Sequence, residues 1–309
     1  MNGSKLLATA IASSLCFAGA VFAASVNSNR IVEMAPTGKG YGVEVPGPAA
    51  EAAARAKPSG NNGILYHGGP VILGTTNVYY IWYGNWSGNS AVTILTDLMQ
   101  NLGGSPIFNT NTSYYNGSNV HVSNSVLFGF GVNDNYSLGT SLSDANIQTI
   151  VANAISGGLV PKSTNAVYFV LTSADVHETS GFGSSYCGWH THGTIAGSDI
   201  KYAFVGDATT QAPTGCIALT SSSAPNGNMG ADGMASVIFH ELSEAVTDPD
   251  LNAWYDRRGN ENADKCAWKF GTTYTTSGGK TANVRLGSRD FLLQQNWVNA
   301  SGGFCSLSF

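Results

Sequence analysis

The chain has 309 residues, of which only 11% are charged, and its formal net charge is −5. No basic cluster occurs anywhere, which argues against a nucleic-acid partner and against a polybasic membrane-surface site, since both need grouped Lys and Arg. A hydrophobic content of 43% with 13 tyrosines argues against disorder, and the abundance of Gly, Ser, Asn and Thr fits an ordered, loop-rich extracellular protein.

Residues 1–23 read as a secretory signal peptide. Lys5 supplies the positive end, Leu6 to Val21 is apolar and small, and Val21-Phe22-Ala23 fits cleavage after Ala23. The run is short for a spanning helix, and no other segment is apolar enough to cross a bilayer. No stable membrane span is therefore expected after signal removal. Residues 24–60, rich in Ala, Gly, Pro and Ser, are expected to be a flexible leader or pro-segment. Pro58-Ser59-Gly60-Asn61-Asn62-Gly63 is a linker signal, so one ordered domain is predicted over 61–309.

Ile64-Leu65-Tyr66 and Val78 to Tyr83 are β-branched and aromatic and predict strands. Val92, Leu95, Leu98 and Leu102 have helical spacing, and Gly103-Gly104 ends that helix. Tyr114 to Phe130 reads as strands with a turn at Asn116-Gly117. Ser143 to Ile155 predicts a second helix, with Ser143 as its cap and Gly157-Gly158 as its stop. Ala166 to Thr172 and Tyr202 to Val205 predict strands. Gly233 to Thr247 predicts a third helix, limited by Pro249 because the residue before proline avoids helical geometry. From Thr272 to Leu293 the pattern is that of hairpins. No internal repeat occurs. Strands and helices mix without strict alternation, which favours an α+β domain, a mixed β-sheet flanked by helices.

The third predicted helix carries the most informative residues. Four positions advance a helix by one turn plus roughly 40°, so His240, Glu244 and Asp248 form a stripe. Met234, Ile238, Leu242 and Ala245 line the opposite, core-facing side. The stripe differs from the His-Glu-x-x-His zinc-hydrolase helix in having Glu244 where the second histidine would stand. Acids near a helix C-terminus oppose its dipole. A chain with few charges nevertheless groups them between His240 and Asp264.

Without Cys16 of the signal, Cys187, Cys216, Cys266 and Cys305 remain. An even number in an exported chain favours disulfides over a metal site. Three pairings are possible. Cys187–Cys216 and Cys266–Cys305 are favoured because each closes a local loop.

Several segments together resemble one family. Tyr66-His67-Gly68-Gly69-Pro70-Val71, Ile81-Trp82-Tyr83-Gly84, Val170 to Val176, the Cys187-to-Gly193 loop, Tyr202 to Gly206, Ala224 to Met234 and Arg289 to Leu293 are similar to the EXORDIUM-like, phosphate-induced protein family, and cover roughly residues 61–309. The resemblance implies a secreted protein of the cell wall or extracellular space, associated in plants with growth and cell expansion. His240-Glu241 departs from the plant pattern and resembles a microbial branch with His-Glu-x-x-Glu-Ala-x-Thr-Asp-Pro. Glu261, Asp264 and Cys266 resemble that branch's Glu-x-x-Asp-x-Cys. Growth-related roles therefore transfer poorly.

Two functions follow from these residues. The first is a secreted metal-dependent hydrolase acting on an extracellular peptide. Such a site needs ligands, an open position and a base. His240 and Glu244 would hold the ion, Asp248, Glu261 or Asp264 would complete the shell, and Glu241, about 100° round the helix from His240, would be the base. His190 and His192 alternate along a strand and so share a face, which makes them a possible additional site. The cofactor is expected to be a divalent metal, zinc first, with the choice widened to calcium or manganese by an oxygen-rich set. The second function is a non-catalytic cell-wall or envelope module with a structural ion or none. A weaker third is carbohydrate binding or cleavage by Trp82, Trp86, Trp189, Trp254 and Tyr255 with a pair such as Asp175 and Asp207. Asn-x-Ser/Thr sequons occur at Asn85, Asn111, Asn116, Asn135 and Asn299.

Overall fold

Runs of β-branched and aromatic residues build a six-stranded mixed sheet, and the site helix lies against it. A computed structural model describes residues 1, 34–41 and 63–309. The predicted signal peptide beyond Met1 and most of the predicted leader lie outside the described residues. In chain order the first elements are β1 (Lys39–Tyr41), β2 (Leu65–Tyr66), β3 (Thr76–Tyr83), helix α1 (Ala91–Gln100) and a 3-10 turn over Phe108–Ser113. There follow β4 (Val126–Asp134), β5 (Ser141–Leu142), α2 (Asp144–Ser156), β6 (Ala166–Thr172), β7 (His177–Glu178), β8 (Tyr186–Ile195) and β9 (Ser198–Gly206). Then come α3 (Ala208–Gln211), α4 (Met229–Thr247), β10 (Trp254–Tyr255) and a second 3-10 turn over Asp264–Cys266. Three hairpins end the chain, β11 (Tyr274–Thr275) with β12 (Thr281–Ala282), β13 (Val284–Leu286) with β14 (Arg289–Phe291), and β15 (Asn296–Val298) with β16 (Phe304–Ser306).

The strand order is β1-β8-β9-β6-β3-β4. Strands β9, β6, β3 and β4 run parallel, while β8 pairs antiparallel with β9 and β1 pairs antiparallel with β8. All seven residues of β6 are buried, as its unbroken apolar run requires when both faces of a parallel strand are covered. The two faces of β8 meet different helices. On one, a Cβ at Gly188 would touch Val237 of α4; on the other, a Cβ at Gly193 would touch Gln148 of α2. The described residues from Met34 to Phe309 belong to one compact unit, and the α+β expectation holds.

Helix α2 has the capping box that Ser143 begins, with Asn146 reaching back to the Ser143 N–H at 2.8 Å. Helix α4 begins at Met229 rather than Gly233, because the Asn228 side chain caps it by accepting the Ala231 N–H at 3.1 Å. It ends where expected, with Asp248 as C-cap before Pro249. One expectation needs correction: α4 has no solvent face. Every residue from Gly230 to Thr247 is buried, because α4 packs on the sheet, on α1 and under the loop after β10 at once. Another correction concerns Tyr114 to Phe130. Only its last part is strand; before it the chain makes the 3-10 turn at Phe108–Ser113 and a single bridge, Tyr115 to His121.

Both favoured disulfides are present. Cys187–Cys216 ties the start of β8 to the segment before α4, and Cys266–Cys305 ties the second 3-10 turn to β16. Lys39–Tyr41, inside the stretch expected to be a leader, forms the edge strand beside β8. Among the described residues no helix is long and apolar enough to cross a membrane.

Candidate metal centre

Three pieces of chain converge on α4. Strand β8 brings His190, α4 brings His240, Glu241 and Glu244, and the loop after β10 brings Glu261 and Asp264. The approach of β8 depends on Gly188, where a Cβ would lie 2.6 Å from Val237 and 3.0 Å from Glu241 Oε1. His190, His240, Glu241, Glu244 and Glu261 are at most 2% exposed, and the Asp264 side chain is 11% exposed.

His190 Nδ1 lies 3.5 Å from Glu241 Oε2 and 3.5 Å from Glu244 Oε2. Its Nε2 lies 3.5 Å from Glu261 Oε1 and 3.4 Å from the Asp248 carbonyl. On the other side of Glu244, His240 Nε2 lies 3.1 Å from Glu244 Oε1 and 3.5 Å from Asp264 Oδ1. The contact with the Asp248 carbonyl is a hydrogen bond, whereas the five imidazole–carboxylate contacts are ion-pair separations without hydrogen-bond geometry. His190 Nδ1, His240 Nε2, both Glu241 oxygens, Glu244 Oε2, Glu261 Oε1 and Asp264 Oδ1 are all buried without a hydrogen-bond partner. Within this buried cluster two groups of three have ligand atoms mutually close enough to share an ion: His190 with Glu241 and Glu244, and His240 with Glu244 and Asp264; a third such group, His192 with Asp199 and Asp250, lies outside it.

The electrostatics are those of a crowded acidic interior. Burial pushes the Glu241 carboxyl up, against the pull of His190 and His240. Burial also raises Glu261, with Glu244 and Asp248 adding to it, and takes Asp248 up to about 6. Asp264 rises through burial and the charge of Glu244. Burial opposes ionisation of Glu244 too, but the two imidazoles hold it below the usual carboxylate range. Burial would lower both histidines, yet Glu241 and Glu244 hold His190 up, and Glu244 and Asp264 hold His240 up. A buried carboxylate without a compensating cation costs several kcal/mol. Protons or metal ions must supply that compensation. The donor set, imidazole nitrogen and carboxylate oxygen, suits a divalent metal.

The other predicted residues have different places. Asp248 leaves the helical stripe as C-cap, and its Oδ1 accepts the N–H groups of Asn252 at 2.6 Å and Ala253 at 2.5 Å. His192 lies outside the buried cluster. Its Nδ1 is 2.7 Å from Asp199, in a half-exposed group with Asp250 where Lys201 already supplies positive charge. Asp175 accepts from Ser173 and Tyr136, and Asp207 caps α3. Trp82, Trp86, Trp189 and Trp254 are core residues, while Tyr255 stacks on His67. A cleft of about 220 Å³ is lined by Lys39, Asp144, Gln148, Trp189, His190 and Tyr202.

One supporting element is absent from the sequence reading. Asn262, between Glu261 and Asp264, donates to the Ser243 carbonyl of α4 at 3.2 Å and to Asn111 at 3.1 Å. Asn296 donates to Asn111 at 2.8 Å. This buried amide network holds the acidic loop to the helix, and only three-dimensional proximity identifies it. Asn111, read as part of a sequon, is fully buried within it and is closed to glycosylation in the folded protein.

Comparison with known proteins places this architecture. The phosphate-induced protein 1 conserved region matches residues 64–290. The chain is 33% identical over 273 residues to Protein EXORDIUM-like 5 of Arabidopsis thaliana, covering 76% of this chain and 75% of that protein. It is 31% identical over 271 residues to Protein EXORDIUM-like 3 of the same plant, covering 76% and 80%. Against Protein PHOSPHATE-INDUCED 1 of Nicotiana tabacum it is 29% identical over 223 residues, covering 63% and 68%. No solved structure gives a significant match. The family match spans every strand of the sheet except β1, the site helix and the acidic loop, and the chain belongs to the phosphate-induced protein 1 family, together with the EXORDIUM-like proteins.

Proposed function

We propose that this chain is an exported EXORDIUM-like protein of the cell wall or envelope whose fold is held by a divalent-metal centre on α4. The observation that carries this reading is the set of buried, partnerless donor atoms of His190, His240, Glu241, Glu244 and Asp264. The described lysine and arginine ion pairs run elsewhere, to Asp97, Asp144, Asp199, Asp250, Asp256 and Asp290. A divalent ion held by His190, Glu241 and Glu244 would tie β8 to α4, and one held by His240, Glu244 and Asp264 would tie α4 to the Glu261–Asp264 loop. Export is supported by the predicted signal peptide and by two disulfides, which persist in oxidising compartments. Metal analysis of the purified protein should find bound zinc or manganese, and chelation should lower its melting temperature. A metal-free protein unaffected by chelators would overturn the reading.

The burial of the cluster favours a structural ion over a hydrolytic one, because hydrolysis needs a coordination position that substrate can reach. A second reading, a metal-dependent peptidase, is favoured by the His-Glu-x-x-Glu spacing and by Asp264, the one partly exposed member of the cluster. Glu241→Gln separates the two. As a base, its loss should abolish peptide hydrolysis with metal content unchanged. As a ligand, its loss should lower metal content itself.

A further inference from the structure

We infer that the cluster is a binuclear centre in which the Glu244 carboxylate bridges two divalent transition-metal ions. This rests on the metal-binding reading above and extends it. Glu244 turns its two oxygens toward different imidazoles: Oε2 faces His190 Nδ1 at 3.5 Å, and Oε1 faces His240 Nε2 at 3.1 Å. Glu241 completes the first set and Asp264 the second. The two imidazoles do not fall in one mutually close group, so no single set of neighbouring atoms takes in both.

The spacings are those of ligands around an ion. Bonds of about 2.0–2.2 Å to nitrogen and oxygen place adjacent ligand atoms roughly 3–3.5 Å apart. The four imidazole–carboxylate separations in the two sets are 3.5, 3.5, 3.1 and 3.5 Å. A carboxylate bridging through both oxygens suits a metal pair about 3.5–4 Å apart.

Orientation and charge agree. His190 turns Nε2 toward the Asp248 carbonyl and Glu261. A proton held there leaves the Nδ1 lone pair for an ion, as an outer hydrogen bond does for metal-bound histidines. Glu241, Glu244, Asp248, Glu261 and Asp264 bring five carboxylates into one buried region. One divalent ion would leave three negative charges there and two ions would leave one, which lowers the desolvation cost. The mixed imidazole and carboxylate set suits zinc, manganese or iron(II) rather than calcium.

The full chain, stripped of metal and then loaded with manganese(II) or zinc(II), tests this. Two ions per chain should remain after gel filtration, and the manganese form should give the electron paramagnetic resonance spectrum of a spin-coupled pair. His190→Ala and His240→Ala should each keep one ion and lose the coupling. The wild-type spectrum decides the matter if either variant fails to fold. One ion per chain with both metals, or an uncoupled spectrum at full loading, would overturn the bridged pair while leaving the single-ion reading intact. No retained ion of either metal would overturn both.

Discussion

Gly188 shows how one residue sets the site. It precedes His190 by two positions on the same face of β8, and it lets the strand come within reach of Glu241. A methyl group at this position meets Val237 at 2.6 Å and Glu241 Oε1 at 3.0 Å. Gly188→Ala should therefore push β8 from α4, cost about 1–3 kcal/mol through overpacking, and weaken metal retention; equal metal affinity in denaturation-matched samples would refute the link. Asp256 governs a separate residue-level effect. Burial opposes its ionisation, but Asn260, the Arg258 N–H at 2.8 Å and the Lys265 ammonium at 3.1 Å hold its carboxyl below the usual range. A depressed folded-state value means the unfolded chain binds the proton more readily. The stabilisation is therefore present above the unfolded value and is lost as pH falls through the folded one. Asp256→Asn should cost about 2 kcal/mol at pH 7 and progressively less on acidification, as followed by urea unfolding at several pH values.

At the scale of elements, the loop carrying Glu261 and Asp264 has two restraints. The Asn262 amide ties it to the Ser243 carbonyl of α4, and Cys266 ties its end to Cys305 of β16. Closing a loop with a sequence separation of 39 removes chain entropy worth about 3–4 kcal/mol. Replacing Cys266 and Cys305 together by Ser should lower stability by an amount of that order and speed metal release, measured with a chromophoric chelator. Unchanged release kinetics would show that the amide network alone positions the acids. The site helix had a readable end but an obscured beginning. Pro249 marks the stop through a local steric rule. Its first turn contains Gly230 and Gly233, which are poor helix formers. Those glycines are accommodated because a Cβ at Gly230 would lie 2.4 Å from Asp207 Oδ1, a contact that only packing produces.

For the whole molecule, the metal centre proposed on α4 would act as a cross-link among the sheet, the helix and the acidic loop. A ligand at 100 times its dissociation constant stabilises the folded state by about 2.7 kcal/mol. For a domain of this size that corresponds to a fall of roughly 5–10 °C in melting temperature on chelation, which differential scanning calorimetry would detect. A smaller apparent effect at low pH is expected, because protons then compete for the same carboxylates. The sequence by itself determined what depends on neighbours along the chain. Hydrophobic spacing located α1 and α2, an apolar run located β6, and helical pitch placed His240 and Glu244 one turn apart. It also supplied both disulfides through local loop closure and the family through ordered motifs. Only the tertiary structure decided which imidazole joins them. Strand alternation puts His190 and His192 on one face, but it contains no information about what covers that face. The packing of β8 on α4 buries His190 among Glu241, Glu244 and Glu261, and leaves His192 at the edge with Asp199. Periodicity reports the direction of a side chain relative to its own element. The partner it meets depends on how distant elements pack, and that is a property of the folded chain.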